Sequence, residues 1–144
     1  MRLIVAALIC MLFSGCATTH IDNATPIDPA VARVARIRAK ADKLSSLGGR
    51  IIKRTGPFIA AGVCVVAPEY CIASKAAYRG AVVAINAIEA EKSADDGLKL
   101  AALAEEFQKN IDTINGVMVA TGQDKIDLSE FQAITKELQA DVGK

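Results

Sequence analysis

From residue 28 onward the apolar positions recur at helical spacing. Val31, Val34, Ile37, Ala41, Leu44 and Leu47 fall three or four residues apart, which places them on one face of an α-helix. Asp28 suits the N-cap and Pro29 the first helical position, so the first helix is expected to start at Pro29. Gly48 and Gly49 are expected to end it. Residues 50–54 read as a further turn, broken or kinked by Gly56 and Pro57. Residues 58–66 are then almost purely apolar. They fall well short of the ~20 residues needed to cross a bilayer, and read as a buried helix or strand. Pro68 and Glu69 open a third element that runs to about Ser93. Within it Ala73, Ala77 and Ala81 lie four apart, as do Ala76, Gly80 and Ala84, and small residues at that spacing let two helices approach closely.

Asp95, Asp96 and Gly97 start a fourth helix, whose stripe is Leu100, Leu103, Phe107, Ile111, Ile114 and Met118 and whose end is Gly122. A last helix is expected from Asp127, with Asp127 and Glu130 at capping-box spacing. Its apolar face is Leu128, Phe131, Ile134, Leu138 and Val142. These patterns predict an all-α fold: a small bundle of four to five helices in one domain over residues 29–144. Composition agrees with this. The chain is 52% hydrophobic, much of it alanine, with 4% aromatic residues and no Trp; it is rich in helix formers and poor in strand formers.

The residues ahead of this domain follow a different rule. Met1 and Arg2 are followed by an apolar run from Leu3 to Phe13, then by Ser14, Gly15 and Cys16. A basic start, an apolar stretch of about ten residues and a small-residue cleavage site make an export signal. With a cysteine directly after the small pair, residues 13–16 resemble the lipobox of bacterial lipoproteins, with Phe13 where Leu is commonest. That resemblance implies a signal peptide over residues 1–15, cleavage before Cys16 and acylation of its sulfur. Cys10 would leave with the signal. Ala17, in place of an Asp, favours the outer membrane under the enterobacterial sorting rule. Residues 17–28 are polar and read as a flexible tether behind the acylated cysteine; twelve residues extend to roughly 40 Å.

Export bears on the remaining cysteines. Cys64 and Cys71 form an even pair in a protein expected to meet an oxidising compartment, which reads as a disulfide. Their spacing is not that of a redox Cys-x-x-Cys motif. A metal site is not expected, because the one histidine, His20, lies in the tether. For the same reason no Ser-His-Asp or Cys-His set is available for acyl transfer. Lys125 to Phe131 resembles the second half of an EF-hand loop, with Asp127 and Glu130 as ligands. The first half carries Val119, Thr121 and Gln123 where oxygen ligands should begin, and Asp124 replaces the required glycine. The segment is better read as a capped helix start. Glu105 and Glu106 are adjacent on a helix and point apart, so they do not make a paired acid and base. No catalytic residue, metal or cofactor is expected.

Charge separates along the chain although the net charge is only +1. Residues 31–54 carry eight basic side chains against Asp42 alone; from Asn86 onward twelve acidic residues face six lysines. Arg33, Arg36, Lys40 and Lys43 share one helix face. That face could meet anionic headgroups at about 1 kcal/mol per charge, a partner, or the acidic helices of the same chain. Nucleic acid is not an expected partner outside the cytoplasm. The expectation is a lipid-anchored protein of the periplasm and outer membrane, acting on an envelope protein as an adaptor, inhibitor or exclusion factor. The alternative is a membrane-active protein using the basic helix and residues 58–66.

Overall fold

A computed structural model describes residues 28–92 and 96–143. The expected signal, lipobox and tether residues up to 27 lie outside the described residues, as do Ser93 and Asp95. Asp28 caps α1 (Pro29–Pro57), its carboxylate accepting the Ala30 N–H at 2.9 Å. A π-helical segment (Phe58–Gly62) and a four-residue α2 (Val63–Val66) continue the chain. A 3₁₀ turn (Pro68–Tyr70) reverses it into α3 (Cys71–Glu91). Asp96 caps α4 (Gly97–Ala120) by accepting the Lys99 N–H at 3.0 Å, and α5 (Ser129–Val142) closes the fold. No strand occurs among the described residues. The all-α bundle read from the periodicity is the fold observed.

The four long helices run up, down, up and down. Each packs beside its neighbours in the order α1, α3, α4, α5, and α5 closes back onto α1. Cross-helix contacts fix this antiparallel order: Gly48 with Ile85, Gly80 with Asn110, Phe107 with Phe131, and Arg33 with the Val142 carbonyl. Asp28, the α3–α4 connection and the C-terminal turn of α5 therefore share one end. The 58–71 corner and the α4–α5 loop share the other. At 1.5 Å per residue α1 alone separates the two ends by about 43 Å.

Three boundary expectations are corrected. Gly48 and Gly49 do not end α1. Gly48 is buried, and a Cβ there would stand 2.0 Å from Cδ1 of Ile85 and 3.6 Å from the Phe107 ring. Its lack of a side chain serves helix approach rather than a turn, and Gly122 is the only positive-φ residue described (φ 73°). Residues 50–54 are accordingly part of α1 rather than a separate turn. Pro57 is where the α-helix ends, as expected: it has no N–H to donate one turn back, and the chain widens there into the π-helical segment. The last helix opens at Ser129 rather than Asp127. Asp127 accepts the Ser129 N–H at 2.9 Å, and Glu130 makes no reciprocal capping bond among the described residues.

The core follows the predicted stripes with local shifts. Ile37, Ala41, Leu44 and Leu47 are buried, whereas Val31 is 60% exposed. Residues 58–66, read as a buried helix or strand, are helical, but only Ile59 and Val63 are buried, because the π-helical and α2 turns show one side to solvent. Ala77, Ala81 and Ala84 lie in the interface of α3, and Gly80 receives the Asn110 side chain, but Ala73 and Ala76 are exposed. Leu103 and Met118 are half-buried, and Ala101, Ala104 and Val117 complete the α4 face.

The two adjacent glycines of α1 should behave oppositely. Gly49→Ala adds a methyl in open space and should stabilise by about 0.5–1 kcal/mol through helix propensity. Gly48→Ala must displace Ile85 from a filled core and should cost about 1–3 kcal/mol. Urea unfolding followed by helical circular dichroism measures both.

Candidate functional site

The basic face of α1 looks across a groove at α5. Lys40 Nζ lies 2.7 Å from Asp141 Oδ2 and 3.7 Å from Glu137 Oε2, and it donates to the Glu137 carbonyl at 3.0 Å. Arg36 Nε is 3.8 Å from Asp141, and Arg33 donates to the Val142 carbonyl at 3.2 Å. Cations are favoured at a helix C-terminus, where carbonyls lack intrahelical partners and the dipole is negative. Three of the four residues read as an anionic-surface site thus cap and pair with the chain's own last helix. Lys43 alone of the four stays exposed without such a contact among the described residues. Of the occupants left open for this face, the acidic helix of the same chain is the one in place.

Further along, the groove opens into three adjoining clefts of about 310, 570 and 200 Å³. Their floor is Leu47, Ile51 and Ile134, with Lys43, Arg50 and Arg54 on the α1 wall and Glu130 and Glu137 on the α5 wall. They are open to solvent and carry both signs of charge, so they lack the enclosed apolar shape of a small-molecule site.

The loop tested for calcium is built on an amide. Asn115 donates to the Ile126 carbonyl at 2.9 Å and accepts the Ile126 N–H at 2.7 Å. This two-point clamp holds Ile126 and Leu128 in the core. The Asp127 carboxyl is committed to Ser129, whose backbone N–H and then hydroxyl hold it below its usual 3.8. No cluster of three or more His, Cys, Asp or Glu able to hold a metal occurs among the described residues. Glu105 lies against Gln139, and Glu106 accepts from Asn110 at 3.1 Å.

The third surface is the corner between α2 and α3. Cys64 and Cys71 are disulfide-bonded, with Cα atoms 4.6 Å apart, as expected of an even cysteine pair. The bond ties α2 to the first turn of α3 and closes a short ring around Pro68. Around it stand Val65 (81% exposed), Val66 (60%), Tyr70 (41%) and Ile72 (84%). Val119, also exposed, ends α4 at the same pole. Five of the eight large exposed hydrophobics among the described residues therefore gather at the end far from Asp28. Lys53, Arg54, Lys75 and Arg79 lie exposed on the helices behind this tip, and Glu69 sits on its turn.

Periodicity missed the tip, because an apolar run reads as core. The available signal was placement: the run ends in a proline turn that carries a cysteine on either side. Such a corner cannot be enclosed by the helices it joins. Comparison with protein-family models, curated proteins and solved structures finds no match to this chain.

Two tests distinguish structure from surface. Lys40→Ala should destabilise by about 1–2 kcal/mol through its charged hydrogen bonds, and Lys43→Ala should stay within about 0.5 kcal/mol; thermal unfolding separates them. Replacing Cys64 and Cys71 together by Ser should cost about 2.5 kcal/mol in the chain-entropy account of so short a ring. Urea midpoints with and without reductant check it, and reductant should leave the Ser variant unchanged.

Proposed function

We propose that this protein is a lipid-anchored component of the bacterial cell envelope that acts by protein–protein contact, as an adaptor or inhibitor. In this reading the chain is cleaved before Cys16 and acylated there, and residues 17–28 tether the helical bundle to the membrane, the outer one being favoured by Ala17. The sequence feature that carries it is the apolar run ending in Ser14, Gly15 and Cys16. The Cys64–Cys71 disulfide supports it, because such bonds persist in exported proteins and are rare in the cytosol. So does the distribution of side chains: five of the eight large exposed apolar groups among the described residues collect at one pole.

Anchoring has a physical consequence for such a protein. Each buried methylene of an acyl chain contributes about 0.8 kcal/mol, and one chain binds reversibly; the three chains typical of bacterial lipoproteins make the attachment effectively permanent. The partner would then be met within the membrane's surface layer rather than in bulk.

Cys16→Ala tests the reading. The wild-type protein should fractionate with membranes and incorporate labelled palmitate. The variant should lose the label and leave the membrane fraction, while its purified bundle keeps the same helical signal. A variant that stays membrane-bound, or a wild type that takes up no palmitate, overturns the anchor.

A further inference from the structure

We infer that the disulfide-closed tip, formed by Val65, Val66, Tyr70 and Ile72 with Lys75 and Arg79 behind it, is the contact surface, and that it docks into an apolar socket rimmed by carboxylates on another protein. This rests on the reading of the protein as one that acts by contact.

Three occupants can cover an exposed apolar pole, and the tip's charge and rigidity choose among them. A bilayer is the first. A fluid bilayer requires no preformed shape, so a covalent ring at the corner contributes nothing to entering it. The tip carries Glu69 on its own turn and has no Trp, Phe or Leu among its exposed residues. Carrying a carboxylate into the apolar layer is costly, and membrane-seeking surfaces use those larger side chains. The tip also lies about 43 Å from the tethered end. No helix among the described residues is long and apolar enough to cross a membrane.

A second copy of the chain is the next. Tip against tip would place Lys75 and Arg79 of one copy beside those of the other. Like charges facing each other across an interface oppose association.

A different protein escapes the objection of like charge. Tyr and Arg are the residues most often responsible for contact energy, and the tip offers Tyr70 with Arg79 behind it. The disulfide removes the ordering cost that a free loop would meet on docking. On the corner and the α3 turns behind it Lys75 and Arg79 outnumber Glu69, so the rim facing α3 is acidic, whereas Arg54 shares a cleft with Asp127 and Glu130 of its own chain.

A photo-crosslinking amino acid placed at residue 66 or 72 of the full chain in intact cells tests this, with residues 83 and 98 as controls on the side and the opposite pole. Val83 and Leu98 are comparably exposed, at 67% and 70%. One protein adduct is expected from 66 and 72 and none from 83 and 98. The crosslinked peptide should carry apolar residues flanked by Asp or Glu. Lys75→Glu with Arg79→Glu should lower the yield at least tenfold while the helical signal is unchanged, and Lys at the partner's flanking acids should restore it. Adducts only to lipid, to a second copy, or to residues 1–27 of the same chain overturn the inference. A protein adduct from 83 or 98 instead overturns the tip and leaves the contact reading standing. No protein adduct from any of the four positions removes both.

Discussion

A single line of contacts crosses the bundle at mid-height and holds all four long helices. Ile85 of α3 fills the space above Gly48 of α1, and the Phe107 ring of α4 closes over the same spot. Phe107 in turn lies against Phe131 of α5, with ring centroids 4.7 Å apart. The chain has few aromatic residues, so two of its four phenylalanines meeting in one place is a large share of its bulky core. The fit depends on an absence at Gly48. With any Cβ there the Ile85 side chain must move out of a filled core, on the helix pair where Ala77, Gly80, Ala81 and Ala84 permit close approach. Because Gly48 works inside a helix rather than at its end, α1 remains one element of 29 residues. That length sets the separation between the two poles.

The poles are finished in opposite ways. At the end near Asp28, Arg33 reaches the last carbonyl of α5, Lys40 reaches the Glu137 carbonyl one turn earlier, and Arg36 and Lys40 hold Asp141. Polar groups left over by the end of α5 are met there by charge from a neighbouring helix, although Val31 and Leu98 stay exposed. At the other end the chain turns through Pro68 and is fastened by Cys64–Cys71. Here the leftover groups are apolar. A π-helical segment and a one-turn helix cannot present a single continuous stripe, so Ile59 and Val63 turn inward while Val65 and Val66 turn out.

Helix existence and most of the core were legible because burial imposes the three- and four-residue period directly. Ile37, Leu44, Leu100, Phe107, Ile111, Ile114, Phe131 and Leu138 all lie where that period places them, and all are buried. Boundaries were less legible, because glycine has two uses that look alike in a sequence. Gly122 ends a helix through its positive φ, whereas Gly48 admits a neighbour's side chain. Only the partner, Ile85, tells them apart, and it is 37 positions away in the chain. The basic face of α1 was visible as a face, but its occupant depended on α5 running antiparallel to α1, a matter of topology. The tip was hidden for a related reason. Hydrophobicity marks what avoids water without saying whether the cover comes from the same chain.

A surface as small as the tip has a physical difficulty that the proposed anchor resolves. A few apolar side chains and two cations bury too little area for tight binding between molecules free in solution, where lost translational and rotational freedom alone costs about 4–15 kcal/mol. A chain tethered beside its partner has met much of that cost already. Confinement to one membrane surface lets the two search a thin layer rather than the bulk, which lowers that cost. A weak but shape-specific contact then suffices. At the point of contact the ring around Pro68 would keep the shape of the tip when it meets the partner. On this argument the anchor and the disulfide are two parts of one device, and neither would serve contact well without the other.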